Sequence, residues 1–176
     1  MSLEQISIVG PQRVNAVTDV QHLGTRVSLP DLDYSAQAKT RLSAEQVECI
    51  LVANRSGGDY TPGLRVGWLA GEEGPGRATG AAGGDDLPAA GIVWPYYTVN
   101  VADDDFFLLV VKGPTKAQYD GAGDIAVGDP LKGAASGRFS EYTDGTDQVV
   151  SLFGHALAAK SSGSAGDLVR VRVNFE

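Results

Sequence analysis

The sequence offers few side chains that could perform acid–base or nucleophilic chemistry. The chain has 2 histidines, His22 and His155, and a single cysteine, Cys49. His155 lies within an apolar run, where burial could tune its acid–base behaviour, but such a position is more typical of a core or interface histidine. Cys49 also stands in an apolar run, whereas a reactive thiolate needs an accessible, electropositive site. We therefore interpret Cys49 as a small core residue.

Two acidic segments could bind a hard cation, and one glycine-rich segment could bind phosphate. Residues 103–105 and 144–147 supply the clustered carboxylates that calcium prefers. Neither segment has a full ligand series, so solvated turns are the favoured interpretation. Residues 74–80 are rich in glycine, but their spacing differs from the dinucleotide-binding pattern and the following Asp85 and Asp86 would repel phosphate. The sequence therefore predicts no catalytic residue, no metal site and no cofactor.

Charge and hydropathy restrict the classes of partner. The formal net charge is -8 and the sequence pI is about 4.7, and no basic cluster is visible, so nucleic acid is not expected as a direct partner. The longest apolar run, residues 106–111, is too short to span a bilayer. Residues 1–5 lack both a basic and a long apolar region, so we expect no signal peptide and no membrane association. A lone cysteine suits folding in a reducing compartment.

The clearest local pattern is an alternation near the end of the sequence. Val169, Val171, Val173 and Phe175 alternate with polar residues, and because successive side chains of a strand point to opposite faces, this pattern predicts a strand with one buried face. Residues 106–111 have no polar position, which predicts a strand that is buried on both faces. Residues 47–52 predict another buried strand. Residues 34–45 are the one stretch with helical character, through alanines and Leu42.

These elements predict an all-β fold, namely a compact β-barrel or sandwich of short strands with at most one short helix. Residues 1–20 are predicted to form an N-terminal arm or first strand, since Gly10 and Pro11 separate the apolar run 6–9 from the rest. Residues 21–117 are predicted to form a β-rich region that contains a long glycine-rich loop, residues 70–90. Residues 118–176 form the C-terminal portion, and we expect one compact unit with residues 21–117.

Candidate partner-binding residues come from two places in the sequence. The N-terminal run could add to the exposed sheet edge of a neighbouring molecule, and an equally favoured alternative makes it the first strand of the domain's own sheet. A group of large aromatic side chains could anchor an interface, although in an all-β protein such residues more often lie in the core or at its rim. The hypothesised partner-binding residues are Leu3, Ile6, Ile8, Val9, Trp94, Tyr96 and Tyr97.

Three turn-and-strand motifs in the last third of the chain carry a family resemblance. They are Val127-Gly128-Asp129-Pro130-Leu131, Phe153-Gly154 with Ala156-Leu157-Ala158, and Ala165-Gly166-Asp167-Leu168-Val169. Together they resemble the small β-barrel of tailed-bacteriophage capsid decoration proteins, also called head cement proteins. The resemblance implies a non-enzymatic virion protein, made in the host cytoplasm and bound as a homotrimer to the capsid exterior. The implied partner is the major capsid protein, whose subunit contacts it would reinforce.

Two other classes of function remain open from the sequence. The first is a receptor- or carbohydrate-binding β-domain of a phage fibre. The second is a hydrolase within a β scaffold, which would need His155 and a nearby carboxylate. Cosedimentation of the purified protein with empty heads is the experiment that best discriminates these classes.

Overall fold

The computed structural model describes residues 22–34, 40–68, 78–79, 89–145, 147 and 152–175, and the structural statements below concern these residues. The fold is all-β, as predicted from the sequence. The strands are β1 Arg26–Asp33, β2 Thr40–Asn54, β3 Arg65–Gly67, β4 Ala78–Thr79, β5 Ala89–Val93, β6 Phe106–Gln118, β7 Pro130–Ala134, β8 Arg138–Glu141, β9 Leu152–Ala156 and β10 Leu168–Asn174, with a short 3₁₀ turn at Ala135–Gly137. The predicted N-terminal arm, residues 1–20, lies outside the described residues.

All ten strands belong to one sheet. The main order is β1-β2-β6-β10-β9-β7-β8, and β5 branches from β6 and pairs with β3. The pairings are antiparallel except for the short parallel contact between β2 and β4. The strand ladder does not close into a barrel. An isolated parallel bridge between Tyr119 and Phe139 nevertheless brings the residue after β6 against β8, so the C-terminal part of the sheet curls back on itself.

Strand β6 joins the two halves of the sheet. It pairs with β2 over residues 106–112 and with β10 over residues 112–118. The pairing with β2 is irregular between Glu48 and Cys49, beside Gly113, whose φ is +99°. A Cβ atom on Gly113 would lie 2.3 Å from the carbonyl oxygen of Gln46, so only glycine allows β2 to cross β6 this closely. This bulge lies where the pairing of β2 with β6 ends, while β10 pairs with the opposite edge of β6 from Lys112 onward.

The two predicted buried strands are confirmed. In β6, Phe107, Leu108, Leu109, Val110 and Val111 are each at most 3 % exposed, as an uninterrupted apolar run requires. In β2, Val47, Cys49, Ile50, Leu51 and Val52 are likewise buried and the segment lies alongside β6, whereas Glu48 is partly exposed. Because neighbouring side chains point to opposite faces, both faces of the sheet are covered here.

Strand β10 shows the predicted alternation. Val169, Val171 and Val173 are buried, while Arg170 and Arg172 are partly exposed on the other face. The apolar face continues past the strand, because the Phe175 ring stacks on Phe153 with ring centroids 5.3 Å apart. Phe153 belongs to the core and Phe175 packs against it.

Two sequence expectations are corrected by the described residues. The helical character predicted for residues 34–45 is wrong for residues 40–45, which belong to β2. There Thr40 and Arg41 pair with Asp33 and Leu32 of β1, so hairpin pairing overrides the spacing of the alanines. The predicted loop, residues 70–90, is interrupted by β4 and ends in β5, whose first residue is Ala89. The remainder of that loop lies outside the described residues.

Within the described residues, no helix is long and apolar enough to cross a membrane.

Candidate functional site

The β1–β2 hairpin is fastened to the polar face of β10 by ion pairs. The guanidinium of Arg170 donates to the carboxylate of Asp31, which also accepts a hydrogen bond of 2.6 Å from the Ser43 hydroxyl. Two residues further along β10, the guanidinium of Arg172 donates to the carboxylate of Glu45 in β2. Asp31 is only 4 % exposed, and a buried carboxylate of this kind requires such partners. The alternating arginines of β10 therefore bind the hairpin, Arg170 at a buried carboxylate and Arg172 at a partly exposed one.

An aromatic cluster lies beside the Asp31–Arg170 pair. The Trp94 ring contacts Tyr34 and Tyr96 at centroid distances of 5.2 and 5.5 Å, and Lys116 places its Nζ 4.9 Å from the centroid of the Tyr96 ring. Burial, with a contribution from the neighbouring acids, raises the pKa of both Tyr34 and Tyr96 to about 12. Both phenols are therefore neutral donors at physiological pH, and the Tyr34 hydroxyl donates to the carbonyl of Pro30 at 3.0 Å.

A groove of about 490 Å³ opens where β2 separates from the C-terminal half of the sheet. Two glycines are among its lining residues, together with acidic and basic side chains. The lining residues are Glu45, Gln46, Glu48, Lys112, Gly113, Gly154, His155, Arg172, Val173 and Asn174. Both of its acids are engaged with arginines, since Glu45 accepts from Arg172 and Glu48 lies 3.8 Å from Arg26. The groove therefore offers mixed hydrogen-bonding groups with little uncompensated charge.

His155 lies in this groove, opposite Arg172 of β10 and Pro130 of β7. A general base needs a partner that orients its imidazole. Among the described residues, no carboxylate makes a hydrogen bond or ion pair with His155, and both acids of the groove, Glu45 and Glu48, lie against arginines. The hydrolase hypothesis therefore gains no support from the geometry of this histidine. His22 lies apart, at the turn before β1, where its carbonyl accepts from the Thr25 amide at 3.0 Å.

Cys49 occupies the centre of β2 and is fully buried. Burial, and to a lesser extent the charge of Glu48, raises the pKa of its thiol well above the ordinary value. The thiol is therefore protonated and inaccessible, in agreement with the core role that the sequence predicted.

The acidic turns use their carboxylates to cap backbone amides. Asp103 accepts from the Gly57 amide at 3.0 Å, and Asp105 accepts from the Ala102 amide at 2.8 Å. Asp147 accepts from the Thr143 amide at 2.6 Å and pairs with Lys132. In the part of the chain that the structure describes, no group of three or more acidic, histidine or cysteine side chains is arranged to hold a metal ion.

The structure separates the predicted partner-binding residues into three groups. Trp94 and Tyr97 are 1 % and 6 % exposed, and the Tyr97 hydroxyl oxygen accepts from the Leu108 amide at 2.8 Å. These two residues lie in the core and do not form surface anchors, because their rings are enclosed by the sheet. Tyr96 lies at the rim of the core, so its role in partner binding stays a prediction. Leu3, Ile6, Ile8 and Val9 lie outside the described residues.

Sequence reasoning missed the joint between the hairpin and β10. The two residues of its central ion pair, Asp31 and Arg170, are 139 positions apart, and nothing local in the sequence relates them. The alternating arginines could have indicated an acidic partner surface, because two guanidiniums on one face of a central strand need compensating charge. Only the three-dimensional fold shows which acidic residues form that surface.

The motifs that carry the family resemblance lie together in the structure. They belong to β7, β9 and β10, which are neighbours in the sheet. The turn before β7 is joined to β9 by hydrogen bonds of 2.9 Å from the Gly128 amide to the Ala156 carbonyl and from the Ala156 amide to the Asp129 carbonyl. The Leu157 amide donates to the Arg170 carbonyl, also at 2.9 Å. The motifs thus form one continuous unit of the curled C-terminal half.

Comparison with known proteins finds several solved chains that are similar in structure. The head fiber gp8.5 N base of bacteriophage phi29 is similar over 73 % of this chain and 94 % of that chain, with 14 % sequence identity and a TM-score of 0.49. A likeness at this level supports no conclusion about function. No protein-family model matches the sequence, and no curated protein matches it.

Proposed function

We propose that this chain is a non-enzymatic structural protein of a phage virion, which binds the outer surface of the head and stabilises contacts between subunits of the major capsid protein. The observation that supports the proposal most directly is the arrangement of the three resemblance motifs. Although spread over residues 127–169, they meet on the adjacent strands β7, β9 and β10. A resemblance carried by residues that form one spatial unit is stronger than the same residues scattered over the fold.

The proposal includes self-association as a homotrimer on the capsid exterior, after synthesis in the host cytoplasm. Strands β1 and β8 end the main strand order of the sheet, and terminal strands need cover against uncontrolled pairing. A symmetric oligomer provides such cover. Many copies on one head would also reinforce one another, so that modest affinity per copy suffices.

Cosedimentation with empty heads of the parent virus tests the proposal. Purified protein should pellet with the heads at a saturable ratio, and bound heads should withstand heating better than bare heads. Failure to pellet at micromolar concentration would refute head binding. Light scattering behind a sizing column tests the oligomeric state, where a clean monomer would refute the trimer.

A matched pair of variants locates the contact. If the apolar run 6–9 docks on the capsid, Ile6→Asp with Ile8→Asp should abolish pelleting and leave the melting temperature of the free protein unchanged. Gln5→Asp with Ser7→Asp adds the same charge at the alternate positions and should pellet nearly as well as the parent. A fall of many degrees in melting temperature for the first variant would instead make this run a strand of the domain's own sheet.

The groove favours a second candidate function, a carbohydrate- or receptor-binding domain of a phage fibre. Its volume of about 490 Å³ lies within the usual range of ligand sites, and it presents His155, Gln46 and Asn174 as hydrogen-bonding groups. No tyrosine, tryptophan or phenylalanine is among its lining residues, so a sugar ring would lack a stacking surface. Binding to a glycan array that His155→Ala abolishes, without binding to heads, would favour this function over capsid decoration.

A further inference from the structure

A small cavity lies at the joint between the hairpin and β10, separate from the groove. Its volume is about 10 Å³. The lining residues are Asp31, Leu32, Tyr34, Val47, Trp94, Tyr96, Pro114, Thr115, Lys116 and Arg170. Aromatic rings therefore form one side of it and the Asp31–Arg170 ion pair forms another.

Two residues that line this cavity, Trp94 and Arg170, each carry a buried donor that lacks a hydrogen-bond acceptor. The Nε1 of Trp94 and the Nε of Arg170 have no hydrogen-bond partner among the described residues, although Arg170 bonds Asp31 through a different nitrogen. Trp94 is 1 % exposed, so its indole N–H cannot reach bulk water. An indole N–H can only donate, and leaving it unpaired in the core carries the full cost of its desolvation. An acceptor is therefore required at this place.

The volume and the charges together define the acceptor. A cavity of about 10–15 Å³ holds one water molecule, provided that two or more polar groups bind it. A chloride ion would lie against the Asp31 carboxylate and is disfavoured by that charge. A metal cation would face two N–H donors and could not be coordinated by them. A water molecule satisfies all three groups, because it accepts from N–H donors and donates to the carboxylate.

The alternation of side chains along β6 directs one further buried polar group, the Thr115 hydroxyl, away from the cavity. The Thr115 hydroxyl is also buried without a partner among the described residues. Thr115 pairs with Val171, whereas Lys116 pairs with Arg170, and residues opposite one another in a sheet point to the same face. The Thr115 hydroxyl therefore points to the other face of the sheet, with Val171. Only the backbone of Thr115 can line the cavity.

We propose that this cavity is a specific binding site for a single water molecule, which accepts from Trp94 Nε1 and donates to the carboxylate of Asp31. The water links the aromatic cluster to the ion pair that fastens the β1–β2 hairpin. It thereby accepts the hydrogen bond of the indole N–H. It also donates a hydrogen bond to a carboxylate that is almost fully withdrawn from bulk solvent.

Nuclear magnetic resonance of the intact chain tests this inference. Trp68→Phe leaves Trp94 as the only tryptophan of the two in the sequence, so its indole Nε1–H signal is unambiguous in a ¹⁵N-labelled sample. We expect a cross-relaxation peak between this proton and water in a rotating-frame experiment, with the sign of a dipolar contact. A peak with only the sign of chemical exchange would show a solvent-open indole and overturn the proposal. A proton protected from exchange with no water peak would show a dry cavity, with the N–H directed at a ring, and would overturn it equally.

A matched substitution checks the assigned partners. Thr115→Val replaces the hydroxyl with a methyl group of similar size on the opposite face, and the water peak should persist at unchanged intensity. Loss of the peak in this variant would place the water at Thr115 and overturn the assignment to Asp31. The parent measurement needs no substitution at the joint, so the inference remains testable even if variants of Asp31 fail to fold.

Discussion

The two halves of β6 bury their side chains in different ways. Over residues 107–111 the apolar side chains of the strand are buried on both faces. Over residues 112–118 one face continues the core and the other carries Lys112 and Lys116, beside the arginines of β10. One strand thus contains both a double-sided apolar core and a polar joint, and Gly113 marks the boundary. The difference shows that burial in this fold follows the partner strands and not the strand itself.

The largest expected effect tests the one-sided burial of β10. Val171→Asp places a carboxylate where exposure is 0 %, at a cost of several kcal/mol against a total stability of about 5–15 kcal/mol, so the C-terminal half should unfold. Arg172→Ala, at the adjacent position, removes a half-exposed ion pair with Glu45, and such pairs contribute about 0–1 kcal/mol. Thermal denaturation followed by circular dichroism measures both. Equal losses would show that the facing of β10 is wrong.

The next effect tests the double-sided burial of β6. Leu108 and Leu109 are adjacent and are 1 % and 0 % exposed. Truncating a buried leucine to alanine costs about 2–5 kcal/mol, so Leu108→Ala and Leu109→Ala should both destabilise strongly, in contrast to the unequal pair in β10. Urea denaturation gives the two free energies of unfolding. A loss below about 0.5 kcal/mol for either leucine, the usual range for surface positions, would contradict burial on both faces.

A smaller effect concerns the contact between the halves at Arg65. This arginine is 2 % exposed, and a Cβ atom on Gly133 would lie 2.4 Å from its guanidinium carbon. Gly133→Ala should therefore destabilise the fold by about 1–3 kcal/mol through overpacking. Gly58→Ala is the matched control, because a Cβ atom there would meet nothing within 4 Å. Similar melting temperatures for the two variants would show that Arg65 can move away from β7.

The smallest effect is a change in titration. The hydrogen bond from Lys132, together with the Thr143 amide, lowers the pKa of Asp147 below its ordinary value. A lowered folded-state pKa contributes stability above the unfolded pKa of about 3.9, and this contribution is lost as pH falls through the folded pKa. Lys132→Ala should therefore raise the pKa of Asp147 towards the ordinary value. Carbon-detected titration of the Asp147 carboxyl measures the shift, and an unchanged pKa would show that Lys132 is not its partner in solution.

Local patterns predicted the strands that carry their own periodicity. The alternation of β10 and the apolar runs of β2 and β6 were visible because side-chain facing repeats within a few residues. Residues 40–45 were misassigned because their conformation depends on pairing with β1, and the spacing of the alanines does not encode that pairing. The short strand β4 was missed because its order comes from its contact with Ala53 and Asn54 of β2.

The candidate sites were less predictable than the strands. The sequence identified His155 and the aromatic residues but not the residues that surround them. The joint depends on Asp31 meeting Arg170 across most of the chain length, and the buried Arg65 looks like an ordinary strand residue in the sequence. Such contacts arise from topology, so residue types and spacing alone could not reveal them.

The position of β10 between β6 and β9 has a consequence for folding kinetics. Both flanking strands precede β10 in the chain, so they cannot complete their hydrogen bonding until a later segment enters the space between them. Closing such loops costs entropy before the new contacts form, and all-β folds with distant pairings refold in about milliseconds to seconds. During that interval two strand edges remain unpaired, which makes the insertion of β10 the step at which this chain is most exposed to misassembly.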